Sequence, residues 1–183
     1  MKEELVRIHA RLCGDGYAAF YETSETDRDR RAIVAYTNLV DENLIEFQKD
    51  MKAVFGVEMY RYKDEVKVKS VRIVEELQEE FGDFSCNMWR VDPRIFDLSR
   101  KKKTEWLRAF IRDEGHYESK YRRLRIKSMN KAGLEDIKRL MQSIEVRANL
   151  TGPNCDGSHY LNVSGIDNYP KIYKIAENKP KIR

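Results

Sequence analysis

Long apolar runs are missing from this sequence of 183 residues. Nothing approaches the roughly 18 consecutive apolar residues of a membrane span, and the opening MKEELVRIHARL has no apolar core of a secretory leader, so no membrane partner is expected. Cysteine is scarce. Cys13, Cys86 and Cys155 lie far apart and form no CxxC pair, which excludes a zinc knuckle and a disulfide framework and points to a reduced, intracellular compartment. An excess of one charge is lacking too: 35 Lys and Arg against 31 Asp and Glu leave only +4, so polyanion binding must come from local clusters. What is present, 41% hydrophobic residues over this length, suffices for one shared core.

The most informative feature is a duplication. Residues 8–16 read IHARLCGDG and residues 107–115 read LRAFIRDEG, each an apolar helical run ending in an acid and a glycine. Each run is expected to place Asp15 or Glu114 on the last turn of a helix, with Gly16 or Gly115 ending it in the left-handed conformation. Helix C-termini carry partial negative charge, so acids there need a cation nearby. Two such acids on paired helices point to bound metal.

The elements around the two runs repeat in order: helix, two strands, helix, two strands, helix. After the first run the pattern predicts strands at 17–22 and 32–37 around an exposed hairpin loop, TSETDRDRR. A helix at 42–55 follows, with an apolar stripe of Leu44, Ile45, Phe47, Met51, Val54 and Phe55, then strands at 57–62 and 66–69 and a helix at 71–81 stopped by Gly82. After the second run, whose helix starts near Ser99, it predicts strands at 116–120 and 121–128, a helix at 131–144, strands at 146–150 and 159–163, and a short helix at 165–175. The division is 1–82, an irregular crossing segment 83–98, and 99–183, all sharing one core. The fold class is α+β.

A nucleic-acid face can be read from strand alternation. In YRRLRIKS, Leu124 and Ile126 alternate with Arg123, Arg125 and Lys127, so burying the apolar side presents three cations together, suited to phosphates and guanine edges. Val66 and Val68 alternate likewise with Lys67 and Lys69; Arg61 and Lys63 share one face of the preceding strand, and Lys120 sits on the first strand after the second run. By the repeat, Tyr36 and Asn38 take the places of Arg125 and Lys127, so the first half reads its target with fewer charges.

The two nonamers, the duplicated αββαββ order and VDPRIFDLSRKKKTEWLRAFIRDEG resemble a single-chain LAGLIDADG homing endonuclease over nearly the whole chain. The resemblance implies two motif helices side by side on a pseudo-twofold axis and two antiparallel sheets forming a saddle over DNA. It also implies Mg2+ or Mn2+ at the catalytic acids Asp15 and Glu114, with backbone oxygens of Gly14 and Asp113 as further ligands. Close helix packing needs small residues, supplied by Ala10, Gly14 and Ala109; Asp113, standing where Gly14 stands, departs from the pattern and either crowds the axis or adds a third carboxylate. Where relatives carry Gln-Lys or Asn-Lys at the strand-to-helix junctions, this chain has Leu39 and Val40, then Ser128 and Met129, leaving Lys127 or Lys131 as the nearest cations. The expected function is a freestanding, sequence-specific, divalent-metal-dependent endonuclease acting as a monomer on a long asymmetric double-stranded DNA site. It would leave a staggered break, in the cytoplasm of a prokaryotic or archaeal cell or in an organelle. The alternative is a non-cleaving nucleic-acid-binding protein on the same scaffold, such as an intron splicing helper or a DNA-binding regulator.

Overall fold

The computed structural model describes residues 1–21, 31–85 and 87–175; most of the expected hairpin loop and Cys86 lie outside them. Helix α1 (Glu3–Cys13) leads into strands β1 (Gly16–Tyr21) and β2 (Arg31–Thr37), helix α2 (Asp41–Phe55), strands β3 (Tyr60–Tyr62) and β4 (Glu65–Lys69), and helix α3 (Val71–Phe81). A 3-10 turn at Pro93–Asp97 precedes α4 (Arg100–Glu114), β5 (Gly115–Glu118), β6 (Arg123–Ser128), α5 (Lys131–Gln142), β7 (Asn149–Thr151), β8 (His159–Val163) and α6 (Tyr169–Ile175). The strands form two antiparallel four-stranded sheets, ordered β1-β2-β4-β3 and β5-β6-β8-β7.

Local chemistry sets the element ends. Ser70 and Asn130 cap α3 and α5 by accepting from the backbone N–H groups of Ile73 and Gly133. Gly56 stops α2 in the left-handed region at φ 70°. The α5 stripe of Leu134, Ile137, Leu140, Met141 and Ile144 is buried throughout, but on α2 Ile45 turns outward while Asn43 and Asp50 turn in. The crossing segment belongs to the core: Trp89 lies so close to α5 that a Cβ on Gly133 would come within 2.3 Å of its ring, and it also meets Phe110 of α4. No described helix is long and apolar enough to cross a membrane.

Three strand expectations shift. Strand β7 begins at Asn149 rather than at 146, because Val146 is spent on the end of α5: Glu145 adopts φ 64° and the Val146 N–H bonds to Met141 O. Strand β3 is confined to the three residues that pair with β4. Lys120 is not on a strand; it lies in a 3-10 turn, Ser119–Tyr121, that interrupts the β5–β6 connection.

Candidate functional site

Helices α1 and α4 pack against each other, with Ala10 and Ala109 fully buried. Small side chains let two backbones approach, and the approach is tight: a Cβ on Gly14 would lie 3.1 Å from the Asp113 Cβ. Glu114 is the last residue of α4, whereas Asp15 stands in the turn beyond Cys13 rather than on the last helical turn. The following glycines are not left-handed stops. Gly115 has φ −78°, and Gly16 is the first residue of β1. What they avoid is a Cβ: it would come 2.9 Å from Arg11 O at Gly16 and 2.6 Å from Ile111 O at Gly115.

Around Asp15 the helix crossing is polar. Asp113 adds a carboxylate whose side chain is fully buried, facing Gly14. Its Oδ1 accepts from Arg11 Nη1 at 3.1 Å, Tyr36 Oη at 2.6 Å and Asn38 Nδ2 at 3.2 Å. The same Asn38 amide donates to Asp15 Oδ2 at 3.2 Å, while its oxygen accepts from Asn43 Nδ2 and the Val40 N–H. Those two donors fix the orientation of the amide, so its NH2 must face the acids. Burial pushes the Asp113 carboxyl up to about 8 against the pull of Arg11 and Tyr36, and the neighbouring Asp15 and Glu114 charges add to the rise. Arg11 is itself fully buried and also donates to Glu46 at 2.5 Å. Glu46, though partly desolvated, is drawn down to about 2 by Arg108 and Arg11.

On the other side of the crossing, Glu114 shares the wall of a pocket of about 330 Å3 with Gly14, Gly16, Tyr17, Ser128 and Met129. The acid of one motif and glycines of the other thus line one pocket, together with Cys13, Phe84, Trp89 and Phe110, and Glu114 is its one carboxylate. Among the described residues no three His, Cys, Asp or Glu side chains form a metal cluster. The junctions carry no cation: Leu39 is 86% and Met129 55% exposed. Lys127 and Lys131, the nearest cations in sequence, form exposed pairs with Asp156 at 2.6 Å and Glu135 at 3.6 Å.

Buried partners define the two sheet faces. Gly16 pairs with Tyr36 and Gly115 with Ile126, so Tyr36 matches Ile126, and Ala35 and Thr37, not Tyr36 and Asn38, match Arg125 and Lys127. The expectation was out by one residue, which in a strand exchanges faces. Tyr36, fully buried, and Asn38, nearly so, therefore serve the helix crossing instead of the sheet surface. Arg61 is also on the core side, opposite Val66, where it pairs with Asp41 at 2.6 Å, and Lys63 lies in the β3–β4 turn at φ 52°. The outer face of the second sheet holds Arg123, Arg125 and Lys127, with Glu118 bridging the two arginines and Arg125 stacked 4.8 Å from the Tyr160 ring. That of the first holds Lys67 and Lys69, with Lys67 bonded to Glu65.

Arg11 and Glu46 escaped sequence reasoning, whereas Asn38 was expected on the sheet surface and serves the helix crossing instead. A charged residue on an otherwise apolar motif helix was the available signal for Arg11; nothing local to residue 46 marks it. His9 and Trp106 are core, with the indole N–H donating to His9 Nδ1 at 2.8 Å.

By sequence, no family model and no curated protein matches the chain. By structure it is similar to I-DmoI in complex with DNA and Mn, at 16% identity over 96% of this chain and 97% of that one, with a TM-score of 0.71. It also matches I-DmoI in complex with DNA and Ca, at 17% identity over 94% and 88%, TM-score 0.67. Full-length DUF199/WhiA from Thermatoga maritima matches at 10% identity over 96% of this chain and 56% of that one, TM-score 0.58. With two four-stranded antiparallel sheets flanking a central pair of packed helices, the chain has the LAGLIDADG fold of the homing endonuclease I-DmoI.

Proposed function

We propose that this chain is a sequence-specific, divalent-metal-dependent homing endonuclease that hydrolyses phosphodiester bonds of double-stranded DNA to a staggered break. It acts as a monomer on a long asymmetric site, with residues 1–82 and 99–183 as the two halves joined by 83–98. One observation carries this reading: Asp15 and Glu114 leave the ends of two packed helices, Glu114 sharing a pocket with Gly14 and Gly16 of the opposite motif, and the two sheets carry cations on their outer faces. The solved structures of this fold that hold DNA with Mn or Ca support it.

The carboxylates of Asp15 and Glu114, with the carbonyls of Gly14 and Asp113, would hold Mg2+ or Mn2+. When bound, such an ion polarises the phosphate and lowers the pKa of a water. Asn38 fixes the direction of the Asp15 carboxylate, and Lys67, Lys69, Arg123, Arg125 and Lys127 bind the duplex. An enzyme of this kind works beside a genome, in the cytoplasm of a prokaryotic or archaeal cell or in an organelle.

The test is incubation with a library of randomised duplexes in Mg2+ or Mn2+, comparing the protein with Asp15→Asn and Glu114→Gln. Breaks at one recurrent sequence, lost in both variants, are expected. The exposed apolar Leu39 and Met129 at the junctions, with Lys127 and Lys131 engaged elsewhere, favour a second reading, a non-cleaving nucleic-acid-binding protein. Specific binding with no break in any metal would establish it in place of the first.

A further inference from the structure

The corrected register shows that the two sheets present different chemistries at equivalent places. Strand β6 shows Arg123, Arg125 and Lys127 outward; at the matching positions β2 shows Ile33, Ala35 and Thr37. Each row continues across its sheet. Ile33 lies between Ala19 and Lys69, whereas Arg125 lies between His116 and Asn162, which in turn pairs with Asn149. Tyr17 and Tyr60 flank Ala35 and Lys67, and Ala35 is fully buried among its neighbours. The uncharged side chains this face offers include the half-buried Ala19 and Ile33 and the exposed Thr37, Tyr17, Tyr60 and Tyr62. Its cations lie on the flanking strand and at one end: Lys69 beside Ile33, Lys67 beside Ala35 and paired with Glu65, and Arg31 at the start of β2, so the apolar character belongs to the central strand.

Base edges in the major groove differ in what they ask of a side chain. Guanine offers two acceptors, matched by Arg or Lys, while thymine alone offers a methyl group, matched by Ala, the methyl of Thr and other apolar groups. Given double-stranded DNA as the partner, as proposed above, we infer that the first sheet reads thymine methyl groups through Ala19, Ile33 and Thr37, and that the second reads guanine through Arg123 and Arg125. The target is accordingly A·T-rich in one half and G·C-bearing in the other. Glu118, between the two arginines, holds their guanidinium groups outward, bridging Arg123 and lying 3.1 Å from Arg125.

The experiment uses the full chain and the duplex it retains most tightly from a randomised library, in Ca2+. Deoxyuridine replaces thymine in one half at a time, which removes the methyl without changing base pairing. In the A·T-rich half, each methyl lost from a contact should weaken binding about fourfold, the worth of one buried carbon. Ile33→Ala should lose its share of that sensitivity while keeping sensitivity to 7-deazaguanine in the other half. Arg125→Ala should show the opposite pattern. Equal sensitivity to deoxyuridine in both halves, or an undiminished effect in Ile33→Ala, overturns the inference. Retention of no duplex at all fails the DNA-binding reading itself, and the two failures are distinct.

Discussion

Arg11 holds a charge where no water reaches, and its guanidinium is divided among Tyr36, Asp113, Asn43 and Glu46. Breaking a buried pair by removing one partner strands the other charge, at about 3–5 kcal/mol. Arg11→Leu should therefore be among the most damaging single changes to stability, because it leaves Glu46 without its buried cation and takes a donor from the largely protonated Asp113 carboxyl. Asp113→Ala should cost less, since Arg11 keeps Glu46 at 2.5 Å and a small residue returns to the helix crossing. The double variant Arg11→Leu/Asp113→Ala should be more stable than Arg11→Leu alone. Urea denaturation of the three variants measures this, and simple additivity would mean that the pair is not energetically coupled. In the sequence, Asp113 stood out because it replaced a small residue. Its partner did not, because Arg11 lies 102 residues away and only the packing of α1 on α4 brings the two together.

The motif helices, both sheets and most helix ends were legible because each has a local cause: apolar spacing, alternation, a capping Ser or Asn, a stopping Gly. Where two causes give the same residue, the sequence could not separate them. The glycine after each motif acid suits a left-handed stop and also a close backbone approach, and only the structure shows the second. Substitution can tell the two apart. Gly56, at φ 70° with nothing within 4 Å of a built Cβ, should lose about 1 kcal/mol on change to Ala and regain most of it with Asn, which tolerates that conformation. Gly115→Ala should cost up to about 3 kcal/mol through overpacking against Ile111 and Leu124, and Gly115→Asn should be no better. Thermal unfolding of the four variants reads the difference, and rescue of position 115 by Asn would restore the left-handed explanation. The misplaced register of β2 has the same origin: alternation locates a strand, but Tyr36 is large enough to read as a surface aromatic until its partner Gly16 fixes its face.

Across the whole molecule, one residue ties the central helices to the elements that close the first half. His9 on α1 accepts from Trp106 of α4, and its ring lies 4.5 Å from Phe81 of α3 and 5.8 Å from Phe84 in the crossing segment. Burial lowers its pKa to about 4, with Arg94 adding to the effect and Asp92 opposing it. The unfolded chain binds a proton at this histidine below its ordinary pKa near 6.5, while the native protein does not. Stability from His9 is thus complete above about pH 6.5 and is lost progressively as the pH falls toward 4, amounting to about 3 kcal/mol in all. Urea midpoints measured between pH 4 and 7 should fall more steeply for the wild type than for His9→Gln, which cannot take up that proton. The excess slope should approach about 1.4 kcal/mol per pH unit. Parallel profiles would overturn this assignment, and Glu46 could not take its place, since its lowered pKa makes its contribution disappear only between about pH 4.5 and 2.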